Sequence, residues 1–169
     1  TENPERAATP HGFVTRGIHW LSILMIGYGY LKGLDNVSQL ADPALLRFEA
    51  MFASALGIVF ALRLFWTQKF GGATRLPQEA PKWERVASRT VHYGLYGAVF
   101  SIVGTGLAIA FAYGSPVLGN LFIKTMIFAH EVALTILPVL ILTHIAGALW
   151  HIVIRRDGVL ESMTGRLPI

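Results

Sequence analysis

The sequence predicts an all-α integral membrane protein, a four-helix bundle with both termini in the cytoplasm, and three observations carry that prediction. The 169 residues are 53% hydrophobic and only 14% charged, with a mean hydropathy of +0.52, whereas soluble domains average about 25% charged residues. Apolar stretches recur that are long enough to cross a hydrocarbon core of about 30 Å, which takes roughly 20 residues of helix. Lys and Arg fall mostly on one side of those stretches, as the positive-inside rule requires.

The chain reads as a single transmembrane domain, and its elements follow in order. The first span, about residues 17–34, begins at Gly17 and is interrupted only by Lys32, whose charge snorkels on its long stem. The second, about 49–67, is the weakest because Arg63 interrupts its last turn. The third covers about 90–113. Its charge-free run continues to Ile123, too long for one straight crossing, and Gly114, Ser115 and Pro116 break it. The fourth, about 129–154, contains Pro138, which kinks a membrane helix rather than ending it. Residues 1–12 read as a flexible tail. Residues 68–88 read as a cytoplasmic connection in which 82–88 open as an amphipathic surface helix.

Orientation follows from the basic residues. Arg6, Arg16, Arg63, Lys69, Arg75, Lys82, Arg85, Arg89, Arg155, Arg156 and Arg166 lie on the side of the termini, and only Lys32, Arg47 and Lys124 lie opposite. The net charge of +4 and pI near 9.7 therefore report topology in a bacterial cytoplasmic (inner) membrane, with lipid as the partner, and not nucleic-acid binding. The absence of Cys excludes a disulfide, an iron–sulfur cluster, a thiolate zinc site and a covalently attached c-type haem.

The chemical signal is histidine. Of six, His19, His92, His130, His144 and His151 lie in or at the ends of spans, where ionisable groups are costly and usually functional. His130 and His144 are 14 residues apart, roughly 21 Å along a helix and close to four whole turns, so they share a face at opposite depths. His151 lies two turns beyond His144. Depth thus groups His19, His92, His144 and His151 on the cytoplasmic side and leaves His130 near the other. A lone membrane histidine is as readily an interhelical hydrogen-bonder as a ligand, but five in this pattern point to iron ligation in b-type haem held noncovalently in a bundle core. Arg16 and Arg89 each precede a histidine by three residues, placed to pair with a haem propionate. Gly147, one turn after His144, offers a smooth surface for a macrocycle or for helix packing. Trp20, Trp66, Trp83 and Trp150 read as an interfacial belt, and His11 as a tail residue.

The segments Arg16-Gly-Ile-His19-Trp20, His92-x-x-x-Tyr96, and His130-Glu131 followed by His144, His151 and Arg156-Asp157-Gly158-Val159-Leu160 resemble the prokaryotic cytochrome b561 family. That family is related to the cytochrome b subunits of hydrogenases and formate dehydrogenases. The resemblance covers nearly the whole chain and implies a four-helix bundle with two b haems that exchanges electrons with the quinone pool. Carried over, His19 and His144 ligate the inner haem iron, and His92 and His151 line a quinone pocket beside it. The outer haem iron takes His130 and a histidine near the start of helix two. This chain has no histidine between His19 and His92, and alignment on Arg63 puts Glu49 at that place, with Met51 nearby.

Three readings follow. The first is a membrane electron carrier, or quinone-linked oxidoreductase, working between quinone and a partner or small redox molecule. Its sharper form, superoxide oxidation, needs a positive outer funnel, whereas Asp35, Asp42, Glu49 and Glu131 outnumber the outer basic residues. The second is an accessory subunit of a larger redox complex, or a homo-oligomer, with one haem or none. The third, a His-lined transporter, is disfavoured because no inverted repeat is visible.

Overall fold

The computed structural model describes residues 12–33, 37–70, 80–113, 119–156 and 163. Among these the chain is all helical. Helix α1 spans Phe13–Lys32, and a short 3-10 turn, Val37–Ala41, leads into α2, Pro43–Phe70. Helix α3 spans Lys82–Tyr113, and α4 spans Asn120–Trp150 before widening into a π-type turn, His151–Arg155. The expected tail with His11, the break at Gly114, Ser115 and Pro116, and Asp157 to Leu160 lie outside the described residues.

Three helices, α2, α3 and α4, are long and apolar enough to cross a membrane. Helix α1, with 20 residues, carries Thr15, Arg16, His19, Ser22 and Lys32 along its length and is not among these three. The helices also outrun the charge-free stretches of the sequence. Helix α2 begins at Pro43 because Asp42 caps it. The Asp42 Oδ1 accepts from the Ala44 N–H at 2.9 Å and the Leu45 N–H at 3.4 Å, and proline suits the first helical position, where its missing N–H costs nothing. Residues 82–88 are not a separate surface helix. They form the first turns of α3.

The helices run alternately up and down. Gly29 faces Phe52 and Thr15 faces Trp66 across α1 and α2. Gly57 faces Val103 across α2 and α3, and Gly94 faces Leu140 across α3 and α4. Gly57 permits the closest approach: a Cβ there would stand 3.0 Å from Val103 Cγ1. The Tyr30 hydroxyl closes the circle from α1 to α4 by donating to the Leu134 carbonyl at 2.7 Å.

The core is small, with Leu56 and Phe60 from α2, Ala98, Val99 and Val103 from α3, and Leu137 from α4, flanked by Met25 and Ile26 of α1. Outside it, Val132, Ile136, Val139, Leu142, Ile145 and Leu149 form an exposed stripe along α4. Their recurrence every three or four residues keeps one apolar face of the helix turned outward, the arrangement a lipid environment favours.

Helix α4 runs through Pro138 without ending. Proline has no N–H to offer the carbonyl four residues earlier, and that carbonyl is Leu134. The Tyr30 hydroxyl therefore meets an acceptor that the helix itself leaves unfilled.

Candidate functional site

Polar side chains gather at two depths in the bundle. At one level, near the ends of the helices that hold Phe13, Phe70 and Lys82 and termed inner after the orientation expected from the basic residues, three histidines converge from three helices. The His144 ring of α4 lies 4.9 Å from that of His92 on α3, edge to face, and 6.5 Å from that of His19 on α1. The fourth helix contributes Arg63, whose Nη2 is 2.6 Å from His19 Nδ1 and whose guanidinium lies 5.9 Å from the Phe60 and Tyr96 ring centres. These are distances for cation–π attraction.

The hydrogen bonds set the tautomers. A guanidinium only donates, so His19 Nδ1 accepts and the proton of the neutral ring sits on Nε2. His92 behaves in the opposite way: its Nδ1–H donates to the Ser88 carbonyl at 2.6 Å, which leaves the lone pair on Nε2. Arg16 approaches the same end of the bundle. Its Nε is buried and has no hydrogen-bond partner among the described residues.

Other candidates lie apart from this cluster. Arg89 is exposed. Gly147 is exposed too, and a Cβ added there would meet nothing within 4 Å. His151 opens the π-type turn, half-buried, within electrostatic reach of Glu84. Glu84 is 5% exposed, and its Oε1 accepts from Arg155 Nη2 at 2.7 Å and Nε at 2.9 Å. At about 1.5 Å per residue the 32 residues of α3 measure roughly 48 Å, so its first turn stands outside a 30 Å hydrocarbon core. There the Arg155 guanidinium holds the Glu84 carboxyl below the usual carboxylate range, against the opposing effect of burial.

At the outer level a cavity of about 420 Å³ lies among the four helices. Its walls are largely apolar, and the polar groups on it are Tyr30, Glu49, His130 and Glu131. Met51, 67% exposed, is not on the wall, so of the two helix-two residues weighed from the sequence only Glu49 faces the cavity that His130 faces. The His130 Nδ1 is 2.9 Å from the Thr105 hydroxyl, which spends its single proton on the Ser101 carbonyl at 2.6 Å. The hydroxyl is thus the acceptor, His130 Nδ1 the donor, and His130 Nε2 carries the lone pair. Gly106 makes room for the ring: a Cβ there would stand 3.3 Å from His130 Cε1.

Residues 10–166 match the family model of prokaryotic cytochrome b561. The chain belongs to the prokaryotic cytochrome b561 family. No curated protein and no solved structure matches it. Membership makes this a membrane cytochrome of the b type, an electron-transfer protein whose family binds b-type haem. Within this cytochrome, sequence reasoning had left Arg63 and Thr105 out of the candidate set. Arg63 carried a usable signal, since a charge inside a span is rarely without a partner. Thr105 carried none, because a threonine in a membrane helix is unremarkable until its neighbour across the interface is known.

Proposed function

We propose that this cytochrome is a multi-pass protein of the bacterial cytoplasmic membrane that passes electrons between the quinone pool and a redox partner, with one b-type haem held at the inner level by His19 and His144. Helix α1 is its fourth span, and both termini face the cytoplasm. The observation that carries the reading is the convergence of His19, His92 and His144 from three helices beside Arg63. Two imidazoles that ligate one metal through bonds of about 2 Å have ring centres roughly 6 Å apart, and the 6.5 Å between His19 and His144 supports that pairing. Buried Arg16 Nε, without a partner among the described residues, supports a propionate beside it. Ligation through His19 Nε2 puts that ring's proton on Nδ1, so the Arg63 guanidinium then turns to another acceptor.

When bound, haem supplies one-electron chemistry. The chain's own residues supply the rest. His92, fixed by Ser88 with its Nε2 lone pair unspent on that bond, accepts a hydrogen bond from a quinol hydroxyl, and imidazole takes and releases protons near neutral pH. His151, close to Glu84 and the inner surface, passes the proton toward water. Phe60 and Tyr96 exclude water around the cluster.

The outer level does not fit a second low-spin haem of the bis-histidine type. It offers one imidazole, His130, and the carboxylate of Glu49. That observation also favours a second reading, an accessory subunit of a larger redox complex that keeps a single haem. Superoxide as donor fits less well, because Glu49 and Glu131 on the outer cavity repel an anion.

Reduced-minus-oxidised spectra of the purified protein test the proposal. We expect one low-spin b haem per chain, reducible by quinol and abolished in His144→Ala. A protein without haem bands, or one whose haem persists unchanged in His19→Ala and His144→Ala, overturns the assignment. Copurification of further subunits selects the second reading.

A further inference from the structure

The outer cavity has a shape and a donor set that a second haem leaves unexplained. Its volume, about 420 Å³, falls in the range of small-molecule sites, about 300–1,000 Å³, which combine apolar walls with a few placed polar groups. Phe52, Leu56, Val103 and Leu137 supply the apolar walls. His130 presents a lone pair on Nε2 because Thr105 holds Nδ1 as a donor. The Tyr30 hydroxyl has already given its proton to the Leu134 carbonyl. Glu49, when ionised, is an acceptor only.

The cavity therefore presents acceptors and asks for a ligand with an aromatic body and more than one O–H. We propose that it binds the reduced head group of a quinone, a hydroquinone, with one hydroxyl donating to His130 Nε2 and the other to the Glu49 carboxylate. The oxidised head group has only carbonyl acceptors and meets acceptors here, so the site prefers quinol to quinone. The inference rests on the proposal that this cytochrome works with the quinone pool, and it places a second, outer quinol site where the family's pattern puts a second haem.

A photoreactive azido-hydroquinone with a short alkyl chain, and its oxidised counterpart, test this on the full-length protein in nanodiscs, with labelled peptides mapped by mass spectrometry. The reduced probe is expected to label residues 49–56 and 127–137, and the oxidised probe to label them several-fold less. In Glu49→Gln one carboxylate acceptor is replaced by an amide that can donate. Labelling by the reduced probe then falls about tenfold, as loss of a charge-assisted hydrogen bond implies, while labelling by the oxidised probe holds or rises. A merely structural role for Glu49 lowers both together, and that result overturns the inference. Helicity by circular dichroism confirms that the variant is folded, and His130→Leu, which removes the other acceptor, is expected to lower labelling by the reduced probe while labelling by the oxidised probe holds; loss of both labels there likewise overturns the inference.

Label confined to the neighbourhood of His92 and His151 overturns the outer site and leaves the quinone reading standing. Label nowhere overturns both. A haem count of two per chain that falls to one in His130→Leu shows a haem in the cavity and likewise overturns the inference.

Discussion

Tyr30, Leu134 and Pro138 show how much a single side chain can settle in a membrane bundle. A carbonyl freed by proline has no water to turn to at this depth, and an unsatisfied polar group in hydrocarbon costs several kcal/mol. The Tyr30 hydroxyl fills that place and ties α1 to α4 beside the outer cavity. Tyr30→Phe is expected to cost about 1–2 kcal/mol, measured by thermal unfolding in detergent. Pro138→Ala restores the N–H that α4 lacks, so in its background the cost of Tyr30→Phe should shrink to a few tenths. Equal costs in the two backgrounds would mean that the bond and the proline are independent. Arg63, Ser88 and Thr105 act at the same scale through protonation. Ser88 and Thr105 leave the lone pair of His92 and His130 on Nε2, free to accept, whereas Arg63 occupies His19 Nδ1 and has to let go before that ring can ligate through Nε2.

Among the helices, the beginning of α3 and the turn after α4 are joined by Glu84 and Arg155. Breaking an ion pair with one buried partner is destabilising because the other charge is left unpaired. Arg155 keeps partial access to solvent, which screens the interaction. The folded carboxyl of Glu84 titrates below its unfolded value, so the pair contributes stability above the ordinary Glu pKa, and that stability is lost as pH falls through the lowered folded value. Unfolding temperatures of wild type and Glu84→Gln should therefore differ at pH 7, begin to approach each other as pH falls below the ordinary Glu value, and converge only below the lowered folded value. A gap that is constant from pH 7 to 3 would assign the effect to packing. Helix boundaries also belong at this scale. The apolar run alone starts the second span near residue 49, and the true start at Pro43 was written in Asp42-Pro43, a cap signal that hydropathy does not register. The continuity of residues 82–88 with the rest of α3 was hidden because an amphipathic turn and the first turn of a span have the same composition.

At the level of the whole molecule, the proposed topology has a direct test, because the chain contains no cysteine and any introduced thiol is the sole target of a maleimide. Gln68 and Asn120 are exposed at opposite ends of the bundle. In intact cells Asn120→Cys should react with a membrane-impermeant reagent and Gln68→Cys should not, whereas inverted vesicles should give the reverse. The opposite pattern would overturn the orientation drawn from the basic residues. The fold's antiparallel order also explains why the two polar levels are so distinct. Alternating helices bring His19, Arg63, His92 and His144 to one depth although they are spread over 126 positions of the chain, from 19 to 144.

Solvent preference and periodicity are properties of the chain before it folds, and they suffice for a helical membrane protein, for the lack of thiol chemistry and for histidines at two depths. Family membership was legible in the same residues, because the spacing of His130, His144 and His151 along one helix survives without coordinates. Which partners those histidines meet depends on how the helices pack. That packing puts Arg63 on His19, Thr105 on His130, and Glu49 rather than Met51 on the outer cavity. Hydropathy and helical period locate a residue along its own helix, while the rotation of one helix against another is set by packing at contacts such as Gly57 with Val103 and Gly106 with His130. That rotation determines which side chains share a cavity, and so what the cavity can hold.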